Sequence, residues 1–257
     1  MTLPAALVRQ VSTRLADAEL TYLDRVPIDV ARAREQHAGY VALLRRLGHE
    51  VVEVAPRDDL PDGTFVEDAV VVVEDLAVLT RPGAESRQPE VASVRDVVQG
   101  LGLRTAAVQA PDTLDGGDVL QVGSTVFVGL GGRTTAGAVD QLRAHLAPLG
   151  RTVVAVPVLG CLHLKTGATA LPDGTVLTVP GWIDCAPFAQ AGLPLLEVPE
   201  PTGVDVVLSG DRVVLSAAAP RTASLVRGRG VEVHEVDIGE LEKAECGPTC
   251  LSVLVPR

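Results

Sequence analysis

The sequence predicts one closed, propeller-like α/β domain made of five ββαβ units, and three observations carry that prediction. Strand-turn-strand patterns followed by a helical pattern recur at a spacing of about 50 residues. Each helical pattern leads into a further β-rich run. The stretches near the two ends, Ala5-Ala-Leu-Val-Arg9 and Leu251-Ser-Val-Leu-Val255, both read as strands and complete the first unit between them. No Gly/Ser- or Pro-rich linker divides the chain, so residues 1–257 read as a single domain.

In chain order, the first unit adds a helix over 27–47 and the strand Val51-Val-Glu-Val54 to the terminal strands. The second runs from Phe65-Val-Glu-Asp-Ala-Val-Val-Val-Val73 to Ala77-Val-Leu-Thr80, then through a helix over 89–101 into Arg104-Thr-Ala-Ala-Val108. In the third, Leu114-Asp-Gly-Gly-Asp-Val-Leu-Gln-Val122 pairs with Thr125-Val-Phe-Val-Gly129, followed by a helix over 133–147 and Thr152-Val-Val-Ala-Val-Pro157. The fourth begins at Leu162-His-Leu-Lys165, turns at Pro172-Asp-Gly174 into Thr175-Val-Leu-Thr-Val-Pro180, and closes with a short helix over 183–191 and Pro194-Leu-Leu-Glu-Val198. The fifth is a hairpin, Asp205-Val-Val-Leu-Ser209 against Arg212-Val-Val-Leu-Ser216 across Gly210-Asp211, with a helix over 221–229 and Val231-Glu-Val-His-Glu-Val236.

Composition narrows the function. Thirty-three acidic against 22 basic residues give a net charge of −11, a field that repels a phosphate backbone and suits a small cationic ligand. Three Phe, two Tyr and one Trp leave no base-stacking platform, so nucleic acid is not an expected partner. The chain lacks an apolar run long enough to cross a bilayer, and its first residues do not read as a signal peptide; a soluble cytoplasmic protein with no membrane partner is the expectation. Four scattered cysteines, Cys161, Cys185, Cys246 and Cys250, do not form a disulfide framework and fit a reducing compartment. Cys246 and Cys250 could supply half of a zinc site, but Cys161 and His163 are spaced poorly for the other half, so no metal is expected.

The chemistry concentrates at the starts of the apolar strands. Glu67 and Asp68 open the second unit, Asp115 and Asp118 the third, and His163 and Lys165 the fourth, while Cys250 precedes the last strand. In a closed repeat these positions converge on one axis. Carboxylates beside wholly apolar strands are costly to bury without a partner, so such a ring either holds a cation or opens at a mouth. Taken singly, a Cys before an apolar strand is ordinarily an inert core residue and a His between leucines ordinarily a satisfied one. Their joint appearance at repeat-equivalent positions points instead to a site. His37, His49, His145 and His234 have no such company, and Cys161 and Cys185 read as buried thiols.

At these residues the sequence resembles the dimethylarginine dimethylaminohydrolases of the guanidine-modifying pentein superfamily. The resemblance rests on Phe65-Val-Glu-Asp68, Thr80-Arg-Pro-Gly-Ala-Glu-Ser-Arg87, Thr113-Leu-Asp-Gly-Gly-Asp-Val-Leu120, Val128-Gly-Leu-Gly-Gly-Arg-Thr134, Leu162-His-Leu-Lys165 and Thr249-Cys-Leu-Ser-Val-Leu254, and it runs nearly the whole chain. It implies a five-bladed α/β-propeller, hydrolysis of ω-methylated arginine to citrulline and an amine, and no cofactor. It also implies roles: Cys250 as nucleophile, His163 as general acid and base, and Asp115 as the carboxylate orienting that His. Glu67 and Asp68 would grip the guanidinium, Arg87 and Arg133 would clamp the α-carboxylate, and Asp62 with the carbonyls of Leu20 and Ala244 would receive the α-amino group. The sequence departs from the family pattern at Cys161 in place of glycine, at Leu251 in place of a second cysteine found in some relatives, and at Glu245-Cys-Gly-Pro248.

The chemistry asks for such residues in its own right. A guanidinium is a poor electrophile because its charge is delocalised, so a soft thiolate must attack while carboxylates hold the plane still. Competing expectations are a hydrolase of free arginine or another guanidine with the same core, and a non-catalytic arginine-binding module. A homodimer is left open.

Overall fold

The computed structural model describes residues 4–256. Among these, the strands form five sheets of three strands each, and every sheet repeats one pattern. An edge strand pairs antiparallel with the middle strand, which in turn pairs parallel with the strand returning after the helix. In the second unit Val70–Val73 meets Leu76–Leu79, which meets Arg104–Ala107. The third sets Val119–Val122, Thr125–Leu130 and Thr152–Pro157 in the same order. The fourth and fifth follow with Ala168–Ala170, Val176–Thr178 and Leu195–Glu197, then Val207–Ser209, Arg212–Ser216 and Glu232–Val236. The first unit is closed by both ends of the chain, Ala5–Val8 pairing antiparallel with Val253–Val255 and parallel with Glu50–Glu53.

In each sheet the returning strand is the most exposed, which sets the geometry. The first strands are nearly continuous apolar runs, such as Val70–Val73, buried at every residue, whereas returning strands such as Glu50–Glu53 and Arg104–Ala107 are half-exposed or exposed. A strand buried on both faces belongs at the centre of the molecule. Val253–Val255 accordingly lies against Val70–Val73, and Val119–Val122 against Ala168–Ala170, around a channel that several units line. The helices Val30–Arg46, Glu90–Gly100 and Ala136–Leu146 pack their apolar faces outside the sheets, with Tyr40, Val94 and Leu142 fully buried. Asp29 caps the first of them, accepting from Arg32 N at 3.0 Å, and Thr135 caps the third. The two later helices are shorter, Ala186–Gln190 and Pro220–Arg227.

The structure differs from the sequence expectation in one respect that matters for function. Phe65-to-Val73 and Leu114-to-Val122 are not strands throughout. In four units a single helical turn ends within one residue of the first strand: Val66–Ala69, Gly116–Asp118, Leu164–Gly167 and Pro248–Leu251; in the fifth, Pro201–Gly203 ends further from it. A turn of three or four residues is too short to imprint a helical period on an apolar run. The first four turns gather at one end of the channel, where Val66–Ala69 meets both Gly116–Asp118 and Pro248–Leu251, and Leu164–Gly167 meets Gly116–Asp118.

Candidate active site

The four turns bring most of the chemistry-bearing residues together. Cys250, His163, Asp68, Arg87, Arg133 and Asp62 line one small cavity, together with Ala244. Close packing between turns dictates Gly116-Gly117. A Cβ on Gly116 would stand 1.9 Å from the Glu67 carbonyl oxygen, and one on Gly117 would stand 2.6 Å from His163 Nδ1. No side chain fits between the units here.

His163 sits just before the Leu164–Gly167 turn, 4% exposed, with Nε2 3.0 Å from Asp115 Oδ2 and Nδ1 4.0 Å from Asp68 Oδ1. Asp115 is fully buried, and its other oxygen accepts from Gly83 N at 2.7 Å, which fixes the carboxylate and hence the imidazole. The turn is held by Asp118, which accepts from Leu164 N at 2.9 Å and from the Thr134 hydroxyl at 2.6 Å. Burial pushes the Asp118 carboxyl up to about 6. Burial alone would drive the His163 pKa down, but Asp68, the bond to Asp115 and the Asp118 charge outweigh it and raise the group to about 10. His163 is therefore held in its imidazolium form, ready to give a proton.

That shift predicts a pH signature. The folded-state pKa lies above the ordinary 6.5, so the charged His163 stabilises the fold fully below that value, and its contribution is lost as pH rises toward about 10. The difference in thermal midpoint between wild type and His163→Ala should narrow steadily across that interval. A difference independent of pH would remove the charge from His163.

Asp68 is the anionic centre. Its carboxylate accepts from Gly117 N at 2.8 Å and from Arg87 Nη1 at 2.7 Å. Burial works against ionisation, but His163 and Arg87 hold the group down at about 2, so it remains a carboxylate throughout the working range. Asp62 is its opposite: burial lifts it to about 6, although it accepts from Glu19 N at 3.2 Å.

Two residues stand differently from the expectation. Glu67 turns away from the cavity into the central channel, where Oε1 meets Lys165 Nζ at 2.5 Å and Oε2 accepts from the Thr249 hydroxyl at 2.8 Å. Lys165 supplies the cation that a buried carboxylate needs, and of this pair of neighbours Asp68 is the acid that lines the cavity. Arg87 lines the cavity but is 4% exposed and largely committed to protein partners. Nε and Nη2 fork onto Glu90 at 3.1 and 3.0 Å, Nη2 also reaches the Phe65 carbonyl, and Nη1 holds Asp68. One N–H of Nη1 is left, so Arg87 is no bidentate clamp. Arg133 is half-buried, and one of its Nη2 donors reaches the Thr21 hydroxyl at 3.1 Å.

Leu20 does not itself line the cavity but follows Glu19, which does. The next three backbone N–H groups, of Thr21, Tyr22 and Leu23, converge on Glu245 Oε1 at 2.9, 2.5 and 2.7 Å. Glu245 itself has a φ of +58°, in the left-handed region, and lines the cavity. Sequence reasoning missed this tie; the only signal was an unusual acid next to Cys246. Asp68, Asp115 and His163 approach one another closely enough to surround a metal ion. Their ligand atoms, however, are occupied by Arg87, Gly117 N, Gly83 N and one another, and the imidazolium and guanidinium already neutralise the two acids. Among the described residues the cysteines join no metal-binding cluster, and all four are free thiols. No helix among those residues is long and apolar enough to cross a membrane.

No protein-family model matches the chain. It is 51% identical over 249 residues to N(G),N(G)-dimethylarginine dimethylaminohydrolase of Streptomyces coelicolor, covering 96% of this chain and 95% of the relative. With the Pseudomonas aeruginosa protein of the same name it shares 32% over 228 residues, covering 88% and 89%. A solved P. aeruginosa structure, a cysteine-to-serine mutant complexed with citrulline, superimposes with a TM-score of 0.90 at 29% identity over 99% of this chain and 100% of that one. The N-terminal domain of the arginine dihydrolase ArgZ, at 20% identity and TM-score 0.88 over 100% and 98%, shares the fold, an α/β-propeller. With half of its residues matched along nearly the full length of the Streptomyces protein, the chain belongs to the dimethylarginine dimethylaminohydrolase family.

Proposed function

We propose that this protein hydrolyses ω-methylated arginines, asymmetric dimethylarginine and monomethylarginine, to citrulline and the corresponding amine. The observation that carries the reading is a cavity in which a half-buried cysteine, an imidazolium and an ionised buried carboxylate stand around one small space, in a chain 51% identical to a dimethylarginine dimethylaminohydrolase. Asp68 takes N–H groups of the substrate guanidinium and holds its plane. Cys250 Sγ, as the thiolate, attacks the central carbon, and the electron pair of that C=N bond moves onto nitrogen. His163 gives its proton to the departing amine, leaving an S-alkylthiouronium on Cys250. The imidazole, now neutral and steered by Asp115, takes a proton from water as that water attacks the same carbon. Collapse expels the thiolate and releases citrulline, the remaining hydroxyl proton leaving to solvent, where the freed amine takes it up. Every proton lent by His163 is returned, so the scheme needs no external cofactor.

At the other end of the substrate, Arg133 and the remaining Arg87 N–H meet the α-carboxylate. Asp62 and the carbonyls of Leu20 and Ala244 receive the α-ammonium. Because one chain carries every group in this scheme, it needs no second copy. Free thiols and an acidic surface fit a cytoplasmic enzyme.

Purified protein offered asymmetric dimethylarginine, monomethylarginine, arginine and agmatine should yield most citrulline from the methylated pair and little product from agmatine, which lacks the α-carboxylate. A kcat/KM for arginine about tenfold above that for dimethylarginine, or ~1.4 kcal/mol of transition-state preference, would make the enzyme an arginine hydrolase with the same machinery.

A further inference from the structure

The Cys250 loop is gripped by a buried group that the catalytic scheme does not use. Asp205 is 7% exposed and lies directly beneath this loop: Oδ1 accepts from Thr249 N at 2.8 Å, and a Cβ on Gly247 would stand 2.2 Å from Asp205 Cγ. The Thr249 hydroxyl stands between two carboxyl groups, 2.8 Å from Glu67 Oε2 and 3.1 Å from Asp205 Oδ2. A hydroxyl carries one proton and can donate to only one of them. Two carboxylates facing one hydroxyl oxygen would leave an anion against a lone pair in a buried place. The arrangement closes if one acid is protonated and donates to the threonine, which then donates to the other.

We propose that Asp205 is a positioning residue for the nucleophile, held as a neutral carboxylic acid that donates through Oδ2 to the Thr249 hydroxyl while that hydroxyl donates to an ionised Glu67. The cation decides which acid keeps the proton. Lys165 contacts Glu67 at 2.5 Å and makes no salt bridge with Asp205. The other groups facing Asp205 are Tyr40, whose hydroxyl is paired with Ser252 at 2.7 Å, and the Cys246 thiol; burial raises both, so both stay neutral. Burial first, and the Glu67 charge second, lift Asp205 to about 7 against the pull of the Thr249 N–H and of the Lys165 charge, which lies beyond salt-bridge distance. The chain Asp205–Thr249–Glu67–Lys165 thus ties the turn carrying Cys250 to the turns carrying Asp68 and His163. Asn is the matching substitution, because its NH2 replaces the acid O–H and its carbonyl still accepts from Thr249 N.

The inference rests on the proposed hydrolysis for its kinetic test but not for its spectroscopic one. With dimethylarginine as substrate, Asp205→Ala and Thr249→Val should lower kcat about tenfold or more while KM moves less than about threefold. Asp205→Asn and Thr249→Ser should recover most of that loss. In the infrared difference between wild type and Asp205→Asn, a protonated-carboxyl carbonyl band should be present near about pH 6 and vanish by about pH 9. A carboxylate signal at the lower pH, or an Asp205→Asn variant that is folded and as slow as Asp205→Ala, would overturn the proposal. If wild type itself fails to turn over methylarginine, the functional reading falls and the infrared measurement still decides the state of Asp205.

Discussion

Cys250→Ala should abolish turnover, with a loss on the order of 10^4-fold or more, because the neighbouring Cys246 thiol is buried, is pushed up by that burial and does not line the cavity, so it cannot take over the covalent bond to the guanidinium carbon. Cys250→Ser should fare almost as badly, since a hydroxyl there has no adjacent neutral base: the charges of its carboxylate neighbours hold His163 in the protonated form. Both variants should fold normally. The side chain is half-buried, and the turn that holds it is fixed by Thr249, Gly247 and Asp205, not by the sulfur. Citrulline production by Cys250→Ala at the wild-type rate would end the covalent mechanism. The companion variant His163→Gly should also lose turnover, and incubation with substrate should leave a mass increase on the peptide containing Cys250 if attack outruns hydrolysis.

Much of this arrangement was legible because the fold repeats. An apolar first strand, a second strand, a helix and a returning strand recur with enough regularity that the five units and the pairing of the two ends can be read directly. The same repetition marks the positions before the first strands as convergent, which is how Cys250, His163, Asp115 and Asp68 stand out. What is not legible is which way a side chain leaves a short turn. Glu67 and Asp68 are neighbours, yet one enters the channel to meet Lys165 and the other meets His163 and Arg87. Asp205 reads as the first residue of a strand, but the strand begins at Val207 and the carboxyl lies under Thr249. Glu245 ties down the Thr21-to-Leu23 segment from a backbone in the left-handed region, and nothing local in the sequence announces that. Each of these depends on a partner from another unit, which local pattern cannot supply.

Arg87 and Arg133 should separate sharply, although the sequence treats them as a pair. Arg87 is the cation between Asp68 and Glu90, both nearly inaccessible, and it also lies 5.9 Å from the Phe65 ring centroid. Arg87→Ala leaves two buried acids without their partner, so it should cost about 3 to 5 kcal/mol of folding stability as well as activity. Arg87→Lys should restore little, because an ammonium cannot fork onto Glu90 while reaching Asp68. Arg133→Ala removes one bond to Thr21 from a half-buried side chain, and stability should change by no more than about 0.5 kcal/mol. Its effect should fall on substrate: KM for methylarginine should rise strongly, with about 2 to 4 kcal/mol of transition-state binding lost. Thermal unfolding and steady-state kinetics on the two variants give four numbers that must cross. Normal methylarginine turnover in Arg133→Ala would return that residue to the solvated surface, and an unchanged midpoint in Arg87→Ala would mean that Asp68 and Glu90 find their protons or their cation elsewhere.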